Sequence, residues 1–139
     1  MTHSTNDDEL ALEVINSLMK ERDDVKRRFR ARTRDMFSMA YFSGLKYMLA
    51  FVYSKAGEAV IKTLFQKGAI EEKINDDERA YALYAVAVLR YLKEAETIDV
   101  VELDALLRRI ESEEPLISAK LFTYLNWLKI FAEAKIEAE

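Results

Sequence analysis

No cysteine occurs anywhere in the 139 residues; histidine occurs once (His3), proline once (Pro115) and glycine three times (Gly44, Gly57, Gly68). Without cysteine there is no disulfide framework, no thiol nucleophile and no thiolate metal site. The single histidine sits in a polar N-terminal stretch, so the chain holds no His-Glu-x-x-His or Glu-x-x-His metal signature and no Ser/His/Asp set away from His3. Glycine-rich phosphate loops are missing as well. These gaps argue against an enzyme, a metal and a cofactor, and against a small-molecule substrate. So few backbone breakers favour long helices over a many-turned β architecture. A signal peptide is also lacking, because Met1 to Leu10 has neither a basic start nor an apolar run; an intracellular, cytoplasmic location is the expectation.

Long uncharged runs are scarce too. Met36 to Val52 carries only Lys46, but its 17 residues stand at the short limit for a membrane span, and Lys46 would sit near mid-bilayer at high cost. This run reads as a buried core helix, and no membrane association is expected.

What the chain does hold is 50% apolar and 33% charged residues, a globular composition long enough for one domain with a real core. No repeat or linker interrupts it. Residues 1–6 read as a mobile polar tail. From Asp7 a helical pattern begins, with Leu18, Val25, Phe29 and Met36 on one stripe of a first amphipathic helix. A second stretch runs from Met36 to Lys55, continuous with the first or bent near Gly44. A third spans Gly57 to Gln66, with Gly68 as its C-terminal cap. Asn75 and Glu78 have capping-box spacing and open a helix over 76–95, apolar on most sides and therefore central. Asp99 with Glu102 starts another, ending near Glu111. Pro115 suits the first position of a last helix over 116–138. The fold class is all-α, a compact single-domain bundle of five to six helices. Tyr84, Tyr91 and Trp127 lie on apolar helices and read as core rather than as stacking platforms for bases. The acidic runs Asp7-Asp8-Glu9, Asp76-Asp77-Glu78 and Glu111 with Glu113-Glu114 fall at helix ends, where capping and solvated carboxylates are expected.

Charge is the most informative presence. Residues 20–34 hold eight Lys/Arg and three Asp/Glu, a net +5 in a chain of net −4, which leaves −9 for the remainder. Lys26, Arg27, Arg30 and Arg34 fall on a face beside the apolar stripe. Asp23 is placed to pair with Lys26 and Arg27, yet three acids cannot neutralise eight bases. Arginine outnumbers lysine six to two in this window, and arginine grips phosphate bidentately. The segment therefore reads as a polyanion-contacting face, with a solvated or intersubunit face as the alternative. Nothing points to reading of base sequence; contacts of this kind go to phosphate and sugar.

Two further segments carry a resemblance. Gly44-Leu45-Lys46-Tyr47-Met48-Leu49-Ala50-Phe51-Val52-Tyr53-Ser54-Lys55 looks like the Gly-Leu-x₃-Leu-Ala-Phe-x₂-Ser-Lys region of the small all-helical subunit of type III-B CRISPR effector complexes, the fifth Cmr subunit. Tyr124-Leu125-Asn126-Trp127-Leu128-Lys129-Ile130-Phe131-Ala132-Glu133-Ala134 resembles the Leu-x-Trp-Leu-Lys-x-Phe-Ala-Glu-Ala helix near the end of that family. The Leu-Pro pair that often precedes the first motif is absent here. The resemblance implies a non-catalytic role in antiviral defence. Such subunits stack head to tail as a minor filament beside the backbone subunits, along the crRNA–target RNA duplex, with a basic surface toward the nucleic acid. Target cleavage then belongs to the backbone subunit and second-messenger synthesis to the large subunit. On this reading Lys26, Arg27, Arg30 and Arg34 are the phosphate contacts, with Arg28 and Arg32 second or on an intersubunit face. Of the two lysines in the first motif, Lys46 and Lys55, Lys55 is placed to reach solvent and joins the RNA-contacting set. The partners implied are the other Cmr subunits, copies of the chain itself, crRNA and target RNA. Two rivals remain: the small subunit of a type III-A or type I complex, and a helical adaptor whose basic helix docks an acidic protein.

Overall fold

A computed structural model describes residues 6–70 and 73–138. His3 and most of the expected tail lie outside that range, but Asn6 does not belong to a tail, since it stands at the N-cap of the first helix and its amide donates to Glu9 at 3.1 Å. The described residues form α1 (Asp7–Ser17), a single 3-10 turn at Leu18–Lys20, α2 (Asp23–Ser43), α3 (Leu45–Ala56), α4 (Glu58–Lys67), α5 (Asp76–Glu96), α6 (Leu103–Ser112) and α7 (Leu116–Lys135), with no strand among them.

α5 is the central element, as its near-continuous apolar pattern implies. It packs against α1, α2, α3, α4 and α7 and buries ten side chains, among them Tyr84, Val88, Tyr91 and Leu92. Its start is local chemistry: the Asn75 side chain accepts from the Glu78 amide at 2.8 Å, and the Glu78 carboxylate accepts from the Asn75 amide at 3.2 Å. This is the reciprocal capping box read from the spacing. Gly68, with φ +76°, closes α4 in the left-handed conformation that glycine adopts without a side-chain penalty.

Seven α-helices among the described residues, rather than five or six, follow from a break that the apolar stripe does not reveal. Leu18, Val25, Phe29 and Met36 are all buried, yet the chain leaves helical geometry between them, with Glu21 and Arg22 extended. The cause is tertiary. The Glu21 carboxylate takes two hydrogen bonds from the Arg79 guanidinium, at 2.7 and 2.9 Å, and Arg22 pairs with Asp76. Asp23 and Asp24 then occupy the first turn of α2, where the helix dipole favours negative charge.

The bend allowed near Gly44 forms, while the expectation of one buried core helix over Met36 to Val52 is corrected. Gly44, at φ +96°, divides it into the last turns of α2 and the body of α3. At that corner Tyr41 (69%), Phe42 (80%) and Tyr47 (58%) are exposed, so the run is only half core. α6 begins at the expected Glu102, which is its N-cap, but Asp99 takes no part in the start and the Glu102 side chain makes no cap. Asp99 faces Lys93 at 3.9 Å and Glu102 faces Lys62 at 3.1 Å, while the first amide of α6, on Leu103, donates to Glu58 of α4 at 2.9 Å.

α7 runs antiparallel to α2. Arg34 meets Glu133 near the end of α7, whereas Phe37 and Tyr41, further along α2, meet Phe122 near its start. Tyr124 is fully buried, and its hydroxyl donates to the Ala87 carbonyl at 2.7 Å. Trp127 is half-buried and stacks on Phe131, with ring centroids 5.3 Å apart and planes 20° apart. Tyr84 and Tyr91 are core, as expected. Among the described residues no helix is long and apolar enough to cross a membrane.

Candidate nucleic-acid interface

α2 turns Val25, Phe29, Thr33, Met36 and Ala40 inward. Helical geometry then places its basic residues on the two flanks of that stripe and on the outer side. One flank looks toward α5 and carries Arg28 and Arg32. The other looks toward α7 and carries Lys26, Arg27, Arg30 and Arg34.

The α5-facing flank is held internally. Arg32 pairs with Asp77 at 3.0 Å and with Asp35 at 2.7 Å, and its guanidinium lies over the Tyr81 ring, 5.0 Å from the centroid. Burial alone would lower the Arg32 pKa, but the hydrogen bond and charge of Asp77, together with Tyr81 and Asp35, outweigh it and hold the group above its ordinary value. Arg28 reaches the same Asp77 at 3.8 Å. Arg79 is likewise raised, chiefly by its hydrogen bonds to Glu21. The Asp76-Asp77 run, expected to be capping or solvated carboxylate, thus receives three arginines at the positive end of α5.

A cleft crosses the outer side of α2 and joins the two flanks. Arg27, Arg28, Arg30, Arg32 and Arg34 line it with Ala31 and Ala138. Lys26 and Arg27 continue into an adjoining groove walled by Met19, Asp23, Lys135, Ile136 and Glu137. Lys26 pairs with Asp23 at 3.2 Å and Arg27 with Asp24 at 2.6 Å, both within the helix. Arg34, 61% exposed, meets Glu133 of α7 at 3.2 Å. Arg30 alone in the set has no ion pair among the described residues, and its Nε is buried without a hydrogen-bond partner.

Lys55 stands apart from both flanks. It is exposed at the end of α3, with its ammonium 5.3 Å from the Phe51 ring centroid and no carboxylate partner among the described residues. Lys46, also exposed, is paired with Glu111 at 3.0 Å.

The structure therefore brings five arginines of the 20–34 window to one cleft but reduces the charge excess that the window alone displays. Asp35, Asp76, Asp77 and Glu133, all outside the window, supply the missing carboxylates. Sequence reasoning overlooked two neighbours on α7, Lys129 and Glu133. Their i, i+4 spacing inside the quoted motif is the available signal, and the pair does form, at 3.7 Å.

The helix-only architecture with a basic cleft on one of its long helices defines a small all-α protein with a polyanion-compatible face, and comparison with known proteins specifies it. The model of the CRISPR-associated protein family Cas_Cmr5 matches residues 4–135, and the chain belongs to that family. It is similar to the CRISPR system CMR subunit Cmr5 of Saccharolobus solfataricus, 29% identical over 151 aligned positions that span 94% of each chain. Among solved structures, it superposes on a chain of the type III-B Cmr-beta complex bound to non-cognate target RNA, with a TM-score of 0.83 and 28% identity, covering 99% of this chain and 100% of the other. A chain of the type III-B Cmr-beta complex bound to cognate target RNA and AMPPnP gives a TM-score of 0.80 at 28% identity, covering 96% and 97%.

Proposed function

We propose that this chain is the small, non-catalytic subunit of a type III-B Cmr ribonucleoprotein effector, and that it lies along crRNA and target RNA with the α7-facing flank of α2 against the phosphate backbone. One observation carries the residue assignment: Arg30 lacks an ion pair among the described residues and shares a cleft with Arg27 and Arg34. An arginine with no carboxylate partner among the described residues is open to phosphate, which it can grip bidentately. Lys26, Arg27, Arg30 and Arg34 are the principal contacts. Arg28 and Arg32, already bound to Asp77, are of second rank, and Lys55 serves a separate surface. That the similar solved chains belong to Cmr-beta complexes bound to target RNA supports the placement beside nucleic acid. The backbone and large subunits, and further copies of the chain, are the protein partners, and the exposed aromatics at Gly44 offer apolar area to such neighbours. A cytoplasmic site of action belongs to the same reading. The family matched is Cmr5, which favours this reading over a type III-A or type I small subunit.

The test is charge reversal of Lys26, Arg27, Arg30 and Arg34 to Glu in a reconstituted complex. RNA crosslinking to this subunit should vanish while helical content and incorporation persist. The log–log salt slope of RNA association should flatten by about 3, given ~0.7–0.9 per phosphate contact. Unchanged crosslinking with a normal fold would refute the assignment.

A further inference from the structure

The ion pairing between α2 and α7 contains a carboxylate with two claimants. Glu133 accepts from Arg34 Nη2 at 3.2 Å and Nε at 3.4 Å through one oxygen, and its other oxygen faces Lys129 Nζ at 3.7 Å. Glu133 and Lys129 are each 28% exposed on their side chains and Arg34 is 61% exposed, so the cluster sits at the surface, open to an incoming anion. It borders the cleft that holds Arg30. Two cations sharing one anion leave a local net positive charge. A phosphodiester carries the same charge as the carboxylate and offers oxygens to the same donors.

We infer that Lys129 on α7 is a further RNA-backbone contact, and that Glu133 stands in for a phosphate in the free subunit, holding Arg34 and Lys129 in place until RNA phosphate takes over both cations. This rests on the reading of α2 as the RNA face. It widens that face from one helix to two, with Arg30 and Arg34 on one side and Lys129 on the other. It also gives the carboxylate a selective effect. A lone anion must displace Glu133 for little return, whereas a backbone that already engages Arg27 and Arg30 brings its next phosphate to the pair at high local concentration.

The experiment uses the full chain in the reconstituted ribonucleoprotein, with ultraviolet crosslinking to target RNA, mass-spectrometric mapping of the adducts and salt titration of RNA retention. Lys129 should appear among the adducts. Glu133→Gln should strengthen retention roughly two- to fivefold, the span of a surface ion pair, and steepen the salt slope by about one phosphate contact. Lys129→Gln should weaken retention by a similar factor. Glu111→Gln, which makes the same change in net charge beside Lys46, is the control and should do neither. The inference is overturned if Lys129 yields no adduct, or if Glu133→Gln matches Glu111→Gln, while Arg27→Glu with Arg30→Glu still abolishes RNA contact. If that double reversal also changes nothing, the RNA face itself has been misassigned and the inference falls with it.

Discussion

Two buried tyrosines separate the worth of a hydrogen bond from the cost of omitting one. Tyr124 donates to the Ala87 carbonyl at 2.7 Å, whereas the Tyr84 hydroxyl, fully buried, has no partner among the described residues. Burial raises both phenols well above their usual pKa. Replacing Tyr124 by Phe should cost about 1 kcal/mol, the net value of an ordinary hydrogen bond. Replacing Tyr84 by Phe should have the opposite sign and stabilise by up to ~1–2 kcal/mol, since it deletes a desolvated group that gains nothing. Denaturant unfolding of the two variants checks the contrast, and destabilisation by Tyr84→Phe would contradict it. At this scale the candidate site was half legible. The spacing of Lys26, Arg27, Arg30 and Arg34 places them on one flank, and the structure agrees. Their carboxylate partners were not legible, because Asp77 and Glu133 lie 45 and 99 residues along the chain from Arg32 and Arg34. Counting charge within a window says nothing about the acids that folding delivers to it.

Helix ends show the same division between local and distant causes. The α5 start was legible because the capping box joins residues three apart, Asn75 and Glu78. Asn75→Ala should lower stability by about 1 kcal/mol, read as a fall in melting temperature followed by circular dichroism. No change would mean that packing of α5, rather than its cap, sets its beginning. The α6 start at Glu102 was legible but its cap was not, because the first amide is served by Glu58, 45 residues earlier, and the local candidates are drawn to Lys62 and Lys93. The break before α2 was hidden for a related reason. Leu18 and Val25 keep their burial through a 3-10 turn and two extended residues, so the apolar period survives although the helix does not. Periodicity reports which side chains are buried, and the α1–α2 joint shows that burial alone does not decide whether the backbone between them is helical.

For the whole molecule, a single buried cluster draws on every helix, from Leu10 of α1 to Ala132 of α7. We therefore propose one domain, which should unfold in one cooperative step. Calorimetric and van't Hoff enthalpies should agree, and an early transition confined to α6 and α7 would argue for two units. All-helical architecture was readable from the few breakers and the strong 3.6-residue pattern. The exposed aromatic corner at Tyr41, Phe42 and Tyr47 was not, because an apolar run looks the same whether both of its sides are covered or only one. The Trp127–Phe131 stack has a consequence of its own. Trp127 is the only tryptophan, half-buried on the helix that also carries Lys129 and Glu133. Its indole emission therefore arises from a single known place, so the protein carries an intrinsic optical reporter of α7, readable without any attached dye.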